Sequence, residues 1–190
     1  MKRLLLAAAT TALACGGGHS LTGSATVSGP IGGETLTPRD AAAAHLSYNA
    51  SGVPGSAVFI TVTSATGFCS LVQSGKEPKS AGYLVLTAFQ RQPDSSTIPP
   101  PAPGTYTVGN AAIHDAVVVF AKTDATCKLS PAVVNQAING QIDFTSVGSR
   151  YAGSFLLTFQ SGGEVQGTFD APLCGGVTSL QPGTAALACE

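Results

Sequence analysis

From residue 138 to 174 the chain reads INGQIDFTSVGSRYAGSFLLTFQSGGEVQGTFDAPLC. Polar and apolar residues alternate through it with a period of two, the spacing of strands that bury one face and wet the other. Three antiparallel strands follow from the pattern. The first turns Ile138, Gly140, Ile142 and Phe144 inward and Asn139, Gln141, Asp143 and Thr145 outward. The second turns Tyr151, Gly153, Phe155, Leu157 and Phe159 inward. The third turns Val165, Gly167, Phe169 and Ala171 inward, with Glu164, Gln166, Thr168 and Asp170 on the wet side. A slip of one residue would invert every face, so the pattern fixes the parity of pairing.

Loop lengths then set the register. A two-residue Gly148-Ser149 turn pairs Phe144 with Gly153, Ile142 with Phe155 and Gly140 with Leu157. A three-residue Ser161-Gly162-Gly163 loop pairs Phe159 with Val165, Leu157 with Gly167 and Phe155 with Phe169. Each strand glycine then lies beside a large side chain that covers the gap it leaves. The glycines are therefore read as packing devices that let the sheet curve, and not as a ligand loop.

At 190 residues and 44% hydrophobic content the chain suits one domain with a core. Only 10% of residues are charged, against roughly a quarter in ordinary soluble domains, so solubility rests on Ser, Thr, Asn and Gln. With 23 Gly, 12 Pro and no Trp, the profile is that of a secreted, turn-rich β protein. A net charge of −1 offers no basic footprint for nucleic acid.

The N-terminus supplies an address. Lys2-Arg3 precede an apolar run over residues 4–14, which is too short to span a bilayer, and then come Cys15 and Gly16-Gly17-Gly18. Ala12-Leu13-Ala14-Cys15 resembles the lipobox of bacterial lipoproteins, with Ala12 where Leu is commoner. The resemblance implies a signal peptide over residues 1–14, cleavage after Ala14, and a diacylglyceryl thioether on Cys15. Acylation of the new amine would add a further chain and make the anchor stable. Residues 15–23 become the lipidated cysteine and a flexible tether, and 24–190 a single β domain. Gly16 in place of Asp favours the outer membrane. Loss of the leader reduces the 9 basic residues to 7 against 10 acidic ones.

Cys69, Cys127, Cys174 and Cys189 remain, none in CxxC or zinc-finger spacing, so disulfides are expected in an oxidising compartment. Three pairings are open. Cys174 with Cys189, a short staple, and Cys69 with Cys127 are the expected pair, worth roughly 3 and about 4 kcal/mol by chain entropy.

Further strands are read at residues 24–28, 57–63, 83–90, 104–108 and 115–122. The last is apolar on both faces, which places it centrally in the sheet. Thr37-Pro38-Arg39-Asp40 followed by four alanines carries a helix-start signal, yet Ala42, Ala44, Leu46 and Tyr48 alternate, and a strand suits the all-β chain. Val53-Pro54-Gly55 reads as a turn, the region of Cys69 as a loop, 74–80 as a polar turn, and 91–104 as a stiff proline-rich connection. About nine strands make an all-β fold, an antiparallel β-sandwich or a barrel-like closed sheet ending in a three-stranded meander.

Reaction centres are not recognisable. Gly18-His19-Ser20-Leu21-Thr22 lacks the second glycine of a nucleophile elbow and lies in the tether. His45 and His114 cannot be joined by sequence to a carboxylate and a nucleophile, and His114-Asp115 reads as a surface pair. No metal-ligand, phosphate or dinucleotide motif is present, and no cofactor or metal is expected. Asn49-Ala50-Ser51 matches a glycosylation sequon that a bacterium would not use.

Lipobox, glycine-rich tether, alternating strands, late cysteines and the GTFDAPLC block together resemble the bacterial envelope lipoproteins of unassigned function. That resemblance implies an address: the membrane, through Cys15. The leading expectation is a non-catalytic, lipid-anchored envelope β domain with a binding or structural role and a protein or small-molecule partner of unknown class. Its alternatives are a carrier of small apolar ligands in a closed β-barrel and a hydrolase whose centre the sequence hides. Function is expected on the outward face of Asn139, Gln141, Asp143, Gln166, Thr168 and Asp170, or in the 91–104 loop.

Overall fold

The structure is a computed structural model that describes residues 22–50, 53–90, 101–109, 113–175 and 188–190. Cys15, the lipobox, His19 and most of the proline-rich connection lie outside the described residues.

The strands are β1 (Ser24–Ser28), β2 (Asp40–Ala50), β3 (Val53–Thr63), β4 (Lys76–Glu77), β5 (Gly82–Gln90), β6 (Gly104–Val108), β7 (His114–Lys122), β8 (Asn135–Ser146), β9 (Arg150–Phe159), β10 (Glu164–Pro172) and β11 (Ala188–Cys189). Nine of them form one sheet in the order β1-β10-β9-β8-β6-β7-β5-β3-β2. It curls until its ends nearly meet, in a barrel-like shape. The expected antiparallel sheet is in fact mixed, because β6 and β7 run parallel. The small pair β4–β11 is parallel too.

The alanines of β2 show why this segment is a strand in spite of its helix-start signal. Ala41 and Ala43 pack inside the barrel, Ala42 and Ala44 pack outside it, and all four are fully buried. What covers the outside is helix α1 (Phe68–Gln73), where the sequence predicts a loop around Cys69. Its buried Phe68, Cys69 and Val72 sit on Ala42, Ala44, Phe59, Tyr83 and Val85. Small side chains on β2 let both layers approach closely.

Asp40 holds this seam. It is fully buried, and one carboxylate oxygen accepts from the N–H of Gly23 at 2.7 Å and of Ala41 at 2.8 Å. The other accepts from Phe68 N–H, the first turn of α1, at 2.9 Å. One side chain thus ties the entry to β1, the start of β2 and the helix. Closure is completed where Cys174 N–H donates to Ala43 O at 2.8 Å.

The disulfides are Cys69–Cys174 and Cys127–Cys189, with Cα separations of 5.7 and 5.4 Å. This corrects the expected pairing. Curling of the sheet brings the end of β10 beneath α1, and β11 carries Cys189 alongside β4. A short loop was a poor guide because neither contact is local.

Within the meander, Phe144–Gly153, Ile142–Phe155 and Gly140–Leu157 pair as expected. Two details differ. Ile138 is the extra residue of a β-bulge between Ala137 and Asn139, so it points outward at 56% exposure and Ala137 takes the inward place. In the second hairpin the loop closes one residue earlier, over Gln160-Ser161-Gly162, with Gly162 at φ +84°. Parity survives but the pairs move by two: Val165 faces Leu157, Gly167 faces Phe155 and Phe169 faces Gly153. The glycine-under-aromatic device therefore holds with other partners. A Cβ at Gly167 would lie 2.5 Å from the Phe155 ring and 1.9 Å from Thr26 O. Val53-Pro54-Gly55, read as a turn, belongs to β3 instead.

Inside the barrel, Tyr106, Tyr151, Phe120, Phe159, Leu84, Leu86, Ile142 and Leu157 are all essentially inaccessible. Among the described residues no helix is long and apolar enough to cross a membrane.

Candidate functional site

Outward residues of β1, β10, β9 and β8 build a shallow groove of 440 Å³. Period-two alternation puts them there: Thr26 and Ser28 from β1, Gln166 and Thr168 from β10, Ser154 and Leu156 from β9, Gln141 and Asp143 from β8. Thr26 and Thr168 hydroxyls meet at 2.9 Å across the β1–β10 pair. The Asp143 carboxylate accepts from the Thr105 hydroxyl and from Gln141 Nε2 at 3.1 Å, which fixes its orientation. Leu156, 40% exposed, is an apolar spot in the floor. The result is a rigid row of neutral donors and acceptors with one carboxylate at its side.

Of the six outward residues singled out in the sequence, Gln141, Asp143, Gln166 and Thr168 line this groove. Asn139 does not. Its side chain accepts from the Gly140 N–H within the bulge. Asp170 lies above the groove, in an ion pair with Arg150 at 2.8 Å. Thr26, Ser28 and Ser154 were missed, although the alternation of SATVS already marked Thr26 as outward. What the sequence could not show is that β1 lies beside β10, more than 130 residues away in the chain.

Both domain histidines lie near one end of the barrel, and each meets a tyrosine. His45 Nε2 is 2.6 Å from the Tyr151 hydroxyl, which links β2 to β9 across the seam. His114 stacks on Tyr106 with ring centroids 4.7 Å apart and planes 21° apart. The Tyr106 hydroxyl donates to Ala102 O and accepts from Ala102 N–H. His114 and Asp115 diverge, because the pleat sends Ala116 and Val118 inside and Val117 and Val119 outside. The expected surface pair is corrected on its acidic side, because Asp115 is buried at 7% exposure.

Burial raises the Tyr106 and Tyr151 phenols above the ordinary tyrosine value, and the neighbouring Tyr106 raises Tyr151 further. Burial does the same to Tyr83. The unfolded chain ionises near pH 10 while the folded chain stays protonated, so stability falls as pH rises past that value. Absorbance titration near 295 nm should therefore show these phenols ionising late and together with loss of the fold. Independent, ordinary titration of all tyrosines would contradict the burial.

Among the described residues, no three His, Cys, Asp or Glu side chains gather closely enough to hold a metal ion. Comparison with protein families, characterised proteins and solved structures gives no match. The site is therefore read from its own chemistry.

Proposed function

We propose that the chain is a non-catalytic domain of the bacterial cell envelope, held to the outer membrane by lipid on Cys15, that binds a neutral, hydroxyl-bearing ligand of the saccharide class in the β1/β10/β9/β8 groove. The observation that carries this reading is the groove itself. Ser, Thr and Gln from four adjacent strands offer paired donors and acceptors, the groups that match sugar hydroxyls, and Leu156 offers a patch for the C–H face of a ring. Sheet strands hold these groups at fixed spacing, which limits the entropy lost on binding. A barrel axis filled by Tyr106, Phe144, Phe155 and Phe159 favours an external site over an apolar ligand carried inside.

Neutral oligosaccharides, N-acetylglucosamine oligomers and glucan fragments, are the probes. Gln166→Ala and Thr168→Ala should each weaken binding about tenfold, the equivalent of one well-made hydrogen bond. Affinity unchanged by either substitution would remove the groove from the reading. Turnover of the saccharide that disappears with His114→Ala would overturn its non-catalytic part. For the anchor, palmitate should label the native chain and not Cys15→Ser; equal labelling would refute lipidation.

A further inference from the structure

The outer wall across β2, β3, β5 and β7 differs in chemistry from the wall that bears the groove. α1 covers its lower part, and beyond it lie two apolar hollows, with the buried Asp115 on the same face at the start of β7. Val85, Val117, Val119, Leu129 and Val134 line one hollow of 250 Å³ with Ala121 and Thr87. A second hollow of 240 Å³, lined by Leu46, Ala57, Thr87 and Phe89, continues it. Val117 is 39% exposed and Val134 49%. β7 is central, as its two apolar faces predict, and on its outward face Val117 is open among the described residues. Apolar surface of this kind gains by leaving water, and no side chain lining the two hollows is charged.

We infer that this wall seats on the lipid bilayer. The inference rests on the lipid-anchor reading of Cys15. Gly23 is fixed to Asp40 at the start of β2. Seven residues, and so eight Cα–Cα steps, separate Gly23 from Cys15, a reach of at most about 29 Å. A domain of this size has a radius of gyration of about 15 Å, so such a tether keeps one wall against the membrane. Leu46 stands six residues along β2 from Asp40, roughly 20 Å, within the arc the tether allows. The apolar wall is the one that gains by leaving water. In a nearly closed sheet it lies across the barrel from β9 and β10, so seating it turns the saccharide groove away from the lipid.

The chain contains no tryptophan, which makes a single introduced one an unambiguous reporter. Full-length Val117→Trp and, on the groove wall, Leu156→Trp are reconstituted on vesicles of phosphatidylethanolamine and phosphatidylglycerol containing acyl-brominated phosphatidylcholine. Both variants should float with the vesicles through Cys15. Val117→Trp emission should fall roughly twofold, as for a side chain 5–10 Å into the interface, while Leu156→Trp emission stays unquenched. Adding Val119→Lys should abolish the quenching and leave flotation intact. Flotation with equal, weak quenching of both reporters would overturn the seating and leave the anchor standing. Failure to float would overturn the anchor and the seating with it. A blue shift of Val117→Trp that appears without vesicles and grows with protein concentration would assign the wall to a second copy of the chain and refute the inference.

Discussion

Asp40→Ala is expected to unfold in urea at a midpoint about 2 M below that of the native chain. The carboxylate accepts three N–H donors from three separate segments, and a hydrogen bond to a charged group contributes about 1.5–3 kcal/mol. Not all of that is lost, because water reaches part of the site once the side chain is gone. A net loss of about 4 kcal/mol, with a urea dependence of about 2 kcal/mol per M, gives the stated shift. Asp40→Asn keeps the shape and one acceptor oxygen, so its loss should be smaller. Its amide would place a donor against the Phe68 N–H or against Gly23 and Ala41, so it should not be neutral. Circular dichroism at rising urea checks both. A midpoint within a few tenths of a molar of native for Asp40→Ala would mean that the seam is held by packing alone.

The second large effect belongs to Cys69–Cys174. Replacing both by Ser should cost up to about 4–5 kcal/mol, since the bridge closes a loop of 105 residues and removes that freedom from the unfolded chain. It also joins α1 to the end of β10 at the closing seam, so the double variant should lose the helix's protection from hydrogen exchange ahead of the rest of the sheet. Replacing Cys127 and Cys189 should act differently. That bridge ties β11 and the tail to the loop after β7, so its loss should expose the C-terminus to protease while the nine-stranded sheet persists. Non-reducing peptide maps should contain Cys69 with Cys174 and Cys127 with Cys189. Cys69 bonded to Cys127 would contradict the closure described.

The strands were legible where side chains obey a local rule. Short apolar and β-branched runs located β1, β3, β5, β6 and β7, and alternation located the meander and put Gln141, Asp143, Gln166 and Thr168 on one wet face. Parity in the meander was equally legible, because an inverted face would bury Asp143 or expose Phe155. Register was less so: moving the second loop back by one residue shifts every pair by two and leaves the faces unchanged, so hydrophobic pattern cannot see it. The Ile138 bulge escaped for a similar reason, since a bulge on an apolar residue mimics continued alternation. α1 lacks a side-chain cap, and its first-turn partner is Asp40, 28 residues earlier. The Cys69–Cys174 bridge, the His45–Tyr151 contact and the joining of Thr26 to Thr168 all depend on curling of the sheet, which brings together residues more than 100 positions apart.

The most direct test of the functional reading maps the ligand onto the sheet. Backbone amide shifts of the mature chain, followed by two-dimensional NMR during titration with neutral oligosaccharides, should change first and most at Thr26, Gln141, Ser154, Gln166 and Thr168. Saturating shifts confined to those strands are the result expected of a groove-binding domain. Shifts centred on His45 and Tyr151, or spread evenly with no saturation, would contradict it.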